Sequence, residues 1–252
     1  MEWSVIAAAL ILVWVPVIGG KFLKVGIERE LFFNSIRAMV QLIALGFVLE
    51  YLFKIDNPLF YLPLFLFMTL YSGYIAYKRV QFPYWRGVVV IGGVGLLLLP
   101  VLVGTGIITL APNKFIPIMG MVLGHSLNTY TQGIERLKRE IELNRELIES
   151  YISVGASLSD ALKEPQREGV KASLIPINNA LQTLGVVSIP GITTGMLMAG
   201  ASPFQAITYQ LAIVYMWVSV NFLSALGAVK MVEWEGRKRG LPLSFQPAGG
   251  GS

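Results

Sequence analysis

Seven runs of predominantly apolar residues follow one another along the chain, separated by short polar or charged clusters, at Trp3–Phe22, Leu31–Phe53, Leu59–Tyr77, Val88–Ile108, Phe115–Gln132, Ser173–Met198 and Gln205–Val229. Each is close to the length of about 20 residues that a helix needs to cross the hydrocarbon core of a bilayer. Backbone polar groups in lipid must pair within their own segment, so runs of this kind are expected as helices. The first, third and fourth are apolar all round and are expected to face lipid. The fifth carries His125, Ser126, Asn128 and Thr129, and the sixth carries Asn178, Asn179, Gln182 and Pro190, which places both inside the bundle. The expected fold class is an all-α polytopic membrane helical bundle of about seven transmembrane helices, with residues 1–240 forming a single transmembrane domain.

Composition agrees with this reading. Of 252 residues, 54% are hydrophobic and 14% charged, against about 25% charged in soluble domains. Mean hydropathy is +0.64. The net charge of +5 would raise nucleic acid as a partner for a soluble protein, but basic residues gather on one side of the expected spans, so no nucleic acid is expected. Seventeen Lys and Arg fall on the side that holds Lys21, Lys78, Arg136 and Lys230, and two, Lys54 and Lys114, on the other, with Arg37 inside a span. The positive-inside rule then sets the N-terminus outside and the C-terminus in the cytoplasm. Cysteine is absent and His125 is the single histidine, which removes disulfides, thiolate chemistry and His-cluster metal sites. The first run lacks a basic lead-in and a small-residue cleavage site, and is expected to be a retained span. The tail 246–252 has the composition of a linker or tag remnant.

One cytoplasmic stretch, 134–172, differs from the rest. Its apolar residues recur with helical spacing at Ile134, Leu137, Ile141, Ile148, Tyr151 and Ile152, so the fifth span is expected to continue as a helix, with Glu135 and Arg139 as an i,i+4 pair, until Gly155. Ser157 with Asp160 three residues later resembles a capping box and opens a very short helix, Ser157–Glu164, that stops at Pro165. Such a helix suits insertion into a groove on a soluble partner; an ordinary capped turn would look the same. Arg37 and Gln41, one turn apart, either line a pathway or let Arg37 snorkel to the headgroups. Asn178 and Gln182 share a stripe with Gly185 and serve either a path or interhelical hydrogen bonding. His125 with Asn128 at i+3 is either a satisfied hydrogen-bonding pair or a metal ligand; Met119, Met121, Met196 and Met198 are packing residues or soft ligands for a transition metal. Pro190 followed by Gly191 breaks the sixth span, giving a kink or an unwound segment. Gly120 with Gly124, and Gly191 with Gly195, permit close helix contact, within the chain or in a dimer. No G-x-x-x-x-G-K-[ST], H-E-x-x-H or G-x-S-x-G occurs.

Gly155-Ala156-Ser157, Ala161, Pro176-Ile177-Asn178-Asn179, Gly185 through Gly191, Thr194-Gly195, Gly200, Pro203, Ala206 and Tyr209-Gln210, with Arg37-Ala38 and Gln41-Leu42, resemble the FetB family of membrane permeases. The chain has Ile192-Thr193 where that family usually has Met-Met, and His125 where it commonly has Asn. The resemblance implies a non-enzymatic subunit of an ABC transporter, associated with export of iron or another metal ion. It implies a homodimer in the bacterial cytoplasmic (inner) membrane, coupled to two copies of a separate ATPase that holds the ATP and Mg. Residues 157–164 become the coupling helix, with Ser157, Leu158, Asp160 and Ala161 in contact with the ATPase. Arg37, Gln41, His125, Asn128, Asn178, Gln182 and Gln210 are the candidate substrate path. Two rival readings are a channel or ion-coupled carrier working without an ATPase, and a membrane scaffold that recruits a cytoplasmic protein.

Overall fold

The computed structural model describes residues 2–54 and 57–239, and within these the regular elements are helices. The expected linker at 246–252 lies outside the described residues. The chain divides into two compact units, 1–56 and 57–252. The first holds α1 (Glu2–Leu23) and α2 (Glu28–Leu52), joined by a tight turn in which Gly26 takes φ +83° and its N–H donates to Glu28 Oε1 at 3.0 Å. Trp14 packs on Phe32 with ring centroids 5.5 Å apart. No residue of α2 is buried, and its apolar side chains, Phe33, Val40, Leu42 and Phe47 among them, are exposed. A face of that kind is stable where lipid covers it.

The second unit opens with a 3-10 turn at Pro58–Phe60, followed by α3 (Tyr61–Val80), α4 (Tyr84–Gly104) and α5 (Pro112–Leu143). After these come α6 (Arg145–Ser153), α7 (Leu158–Ala161), α8 (Lys163–Thr183), α9 (Gly191–Met198) and α10 (Pro203–Arg239). The long helices α5 and α10 pack on each other at the centre, with α3 and α4 on one flank and α8 on the other. Ile91, Met119, Val122, Leu123, Tyr130, Ile134, Ile213 and Val220 are almost fully buried between them. Helices approach closely where glycine removes a side chain. A Cβ on Gly92 of α4 would stand 2.8 Å from Thr69 Cγ2 of α3, and one on Gly133 of α5 would stand 2.9 Å from Ala228 Cβ of α10. Gly124, Gly191 and Gly195 by contrast have nothing within 4 Å, whereas a Cβ on Gly120 would stand 3.3 Å from Met68 Cε of α3, so of these two spacings only Gly120 meets another helix inside this chain.

By length and hydropathy, three helices among the described residues are suited to crossing a membrane: Glu28–Leu52, Tyr84–Gly104 and the stretch within Pro203–Lys238. In α10 the apolar sequence ends at Val229 and charge begins at Lys230.

The region 134–172 forms much as its pattern predicts, with three differences. The helical continuation of α5 buries Ile134, Leu137 and Ile141, but it is interrupted at Asn144, whose side chain donates back to the Glu140 carbonyl at 2.9 Å, and resumes as α6. Glu135 does not pair with Arg139; it accepts from Arg79 Nε of α3 at 3.1 Å. The short helix is a single turn, 158–161, and Pro165 does not stop it. Pro165 lies in the first turn of α8, where a missing N–H costs nothing because no i−4 acceptor is available there. The sixth span is not one bent helix: α8 ends at Thr183, residues 184–190 form a looped connection, and α9 begins afresh at Gly191. Asn178, Asn179 and Gln182 are exposed rather than interior. The buried face of α8 runs through Gly169, Ser173 and Ile177, and Asn178, one residue on, is turned about 100° away from it.

Candidate functional site

Three polar features of the second unit line up along α10. The first is a seam against α5. The Thr129 hydroxyl donates to Asn221 Oδ1 at 2.5 Å, and the Ser224 hydroxyl lies 2.8 Å from that of Ser126 and 2.7 Å from the Val220 carbonyl. With one proton to give, Ser224 satisfies Val220 and accepts from Ser126. All four side chains are buried. On the same side His125 stacks on Trp217, with centroids 4.8 Å apart and planes 27° apart.

The second feature is a cavity of about 520 Å³ between the end of α8, the 184–190 connection, α9 and the first turns of α10. The connection turns because Gly185 takes φ +81°, a left-handed conformation that suits glycine, and its N–H reaches the Ser188 carbonyl at 3.0 Å. Pro190, extended at ψ 151°, caps α9 and Gly191 opens it, as expected of a break at this pair. The walls are mostly apolar, from Leu181, Ile189, Leu197 and Leu211. Thr193 and Gln210 supply the polarity: the Thr193 hydroxyl donates to Gln210 Oε1 at 3.4 Å. Gln210 is 5% exposed, and its Nε2 has no hydrogen-bond partner.

The third lies beyond Val229, at the charged end of α10. Glu233, 4% exposed, accepts from Lys230 Nζ at 2.7 Å, from Arg237 at 2.5 Å and from Gln166 Nε2 of α8 at 3.0 Å. Burial alone would raise its carboxyl; hydrogen bonds from Lys230, Gln166, Arg237 and Ser159 outweigh that and hold it down at about 2. Gln166 stands in the first turn of α8, directly after α7, so Glu233 fastens the α7–α8 junction to α10. Ala161 and Leu162 are buried behind that turn. Its outer side is capped as the sequence predicts: the Asp160 N–H donates to Ser157 Oγ at 3.2 Å, and the Ser157 hydroxyl donates to Asp160 Oδ2 at 2.5 Å. A groove of about 540 Å³ runs beside it, lined by Glu140, Tyr151, Asp160, Lys163, Glu164 and Glu168. Two further contacts brace this end. Arg86 of α4 pairs with Glu235 at 3.0 Å while its guanidinium lies 3.4 Å from the Trp234 ring centroid, and Lys138 Nζ donates to the Val80 carbonyl at 2.6 Å.

These features gather some of the residues singled out from sequence and leave others apart. His125 and Gln210 belong to the seam and the cavity, Pro190 and Gly191 form the break, and Ser157, Leu158, Asp160 and Ala161 build the capped turn. Asn128 is exposed on α5, Asn178 and Gln182 on α8, and Arg37 and Gln41 on α2 in the other unit. Thr193 stood out from sequence only as a departure from the resembled family, and Trp217, Asn221, Ser224, Gln166, Glu233 and Arg86 were not singled out. A signal for part of this set was present: Gln210, Trp217, Asn221 and Ser224 recur at intervals of seven, four and three, a helical stripe through an apolar run. Among the described residues, no three His, Cys, Asp or Glu side chains stand close enough to hold a metal ion.

An all-helical bundle with apolar side chains turned outward and hydrogen-bonded polar groups turned inward is the build of a membrane protein. The chain belongs to the Uncharacterised protein family (UPF0014), whose pattern matches residues 3–235. It is 32% identical over 218 residues to the UPF0014 membrane protein YjkA of Bacillus subtilis, covering 85% of this chain and 87% of that protein. It is 30% identical to the Probable iron export permease protein FetB of Escherichia coli, covering 88% and 86%. With Protein ALUMINUM SENSITIVE 3 of Arabidopsis thaliana it shares 29% identity, covering 89% and 86%. No solved structure matches the chain.

Proposed function

We propose that this chain is the permease subunit of an ABC exporter, which moves iron or another metal ion out across the bacterial cytoplasmic membrane. It works as a homodimer driven by two copies of a separate ATPase that binds the ATP and Mg, and is not itself an enzyme. The observation that carries this reading is α7. Its outer face, at Ser157 and Asp160 with Leu158 half-buried between them, is open to a partner, while buried Ala161 turns its inner face to α10 and Gln166, just beyond it, binds Glu233. Force applied to α7 therefore passes to a helix of 37 residues, about 55 Å long, whose other end forms the seam and the cavity.

Support for the partner and cargo comes from the family and from the name of the Escherichia coli relative. The asymmetry of basic residues supports seven spans with the N-terminus outside and the C-terminus in the cytoplasm. α8 and α9 together then make one interrupted span, and α10 extends beyond the bilayer into the cytoplasm. The substrate path follows His125, Gln210 and the α5–α10 seam. Arg37, Gln41, Asn128, Asn178 and Gln182, exposed in the single chain, join that path where a second copy of the chain encloses them.

Co-purification with a co-expressed ABC ATPase tests the reading. Leu158→Asp combined with Ser157→Arg alters the open face of α7, and the expected result is loss of the ATPase from a permease that still elutes as a single species. Unchanged association, or flux through the purified chain alone in vesicles, would defeat it.

A further inference from the structure

We propose that a pocket between α3, α5 and α8 binds an anionic phospholipid, its phosphate held by Arg136 and Arg139 with Arg79 beside them, and its acyl chains running along Ile175 and Pro176. The pocket has a volume of about 460 Å³, within the range of small-molecule sites, and shares no residue with the seam, the cavity beside α9 or the groove beside α7. Three arginines and one carboxylate line it, which leaves a surplus of two positive charges. The carboxylate, Glu135, accepts from Arg79 Nε at 3.1 Å. Arg136 and Arg139 make no ion pair or hydrogen bond among the described residues, and they stand one turn apart on α5, where like charges repel. All three guanidinium groups belong to exposed residues, so an occupant of the pocket reaches them. The planar guanidinium fork matches pairs of phosphate oxygens.

Depth is the second, independent observation. All three helices change from apolar to charged sequence at this pocket: α3 at Lys78 and Arg79, α5 just past Gln132, and α8 between Lys171 and Ser173. In a bilayer that is the level at which hydrocarbon gives way to water, and basic pockets between helices at the cytoplasmic boundary hold anionic headgroups. The excess of basic residues on this side assigns the site to the cytoplasmic leaflet. The α8 wall is apolar, with Ile175 55% exposed and Pro176 exposed beside it. A free phosphate would satisfy the arginines and leave that wall bare, whereas a lipid meets both. The inference goes beyond the permease reading: it rests on the membrane build of the chain, not on an ATPase or a cargo.

The probe is phosphatidylglycerol with a diazirine on its acyl chain, added in trace amount to the full chain in phosphatidylcholine nanodiscs, photolysed, and followed by mapping of the adducts. Adducts should concentrate within 172–176, at about ten times the yield of the matching phosphatidylcholine probe. Arg136→Gln combined with Arg139→Gln should abolish that margin. Arg145→Gln combined with Arg167→Gln removes the same charge from exposed positions outside the pocket and should preserve it. The comparison separates a site from a general attraction to anionic lipid, and equal melting temperatures establish that both variants fold. Equal labelling by the two probes, adducts spread evenly over the helices, or a margin that survives Arg136→Gln with Arg139→Gln would overturn the proposal. Displacement of the probe by millimolar inorganic phosphate would also overturn it, since the occupant would then be a soluble anion. So would disulfide-linked dimers of Ile175→Cys in place of adducts, because a second copy would then fill the pocket; the chain has no other cysteine. Neither transport nor association with an ATPase enters the readout, so failure here leaves the permease reading standing.

Discussion

Replacing Glu233 by Gln removes one charge and keeps one acceptor, which isolates the electrostatic part of the grip on α7 and α8. The carboxyl ionises near 2 in the folded chain against an ordinary value of 4.5. A shift of that size corresponds to about 3 kcal/mol. Lys230 and Arg237 are 63% and 57% exposed, so water screens part of their attraction, and about 2 kcal/mol is the better expectation. Because the folded-state value is depressed, this stabilisation is fully present above pH 4.5 and is lost as pH falls through about 2. In detergent at pH 7, Glu233→Gln should therefore melt about 4–8 °C below the parent chain, and the gap should close as pH is lowered from 4.5 toward 2. Hydrogen exchange at the amides of 158–162 should quicken at pH 7, since Gln166, which ties the α7–α8 junction to α10, is left with a weaker, neutral acceptor. Equal melting at pH 7, with unchanged exchange in α7, would show that Ala161 and Leu162 hold the turn without Glu233.

Two further substitutions test the α5–α10 contact. Gly133→Ala places a methyl 2.9 Å from Ala228 Cβ and should cost about 1–3 kcal/mol in thermal melts, whereas Gly124→Ala, with open space around it, should leave the melting temperature of the monomeric chain unchanged. Thr129→Val strands Asn221 Oδ1, while in Asn221→Leu the Thr129 hydroxyl can turn to a carbonyl of its own helix. Thr129→Val should accordingly be the more damaging, and a double-mutant cycle should return a coupling of about 1 kcal/mol; no coupling would remove the 2.5 Å bond from the account.

What the sequence made legible is what depends on neighbours in the chain. The apolar runs, the Ser157–Asp160 cap and the break at Pro190–Gly191 each follow from residues within one turn of each other. Glu233 shows where this ends. Its partners Lys230 and Arg237 stand at helical spacing and are visible in the sequence, but Gln166 is 67 positions away. Arg86 and Glu235 are 149 apart. Glu135 went to Arg79 rather than Arg139 for the same reason: a cation presented by α3 competes with one on the same helix, and only packing decides between them.

The rotational setting of α8 is a subtler case. Composition marked this span as polar, and so as interior, yet its buried face consists of Gly169, Ser173 and Ile177, while Asn178 and Gln182 lie off it. Small residues determine this choice. Gly169 rests against Leu137, where an added Cβ would stand 3.4 Å from the leucine Cβ, so α8 presents the face that comes nearest to α5 and not the one with most hydrogen-bonding capacity. The amides of Asn178 and Gln182 are thereby left outward on a helix whose neighbouring Ile175 is also exposed. In lipid such amides are unfavourable unless a protein or a water-filled space meets them. The exposed polar stripe on α8 is thus the feature of the single chain that most requires a second surface, and the proposed homodimer would provide one.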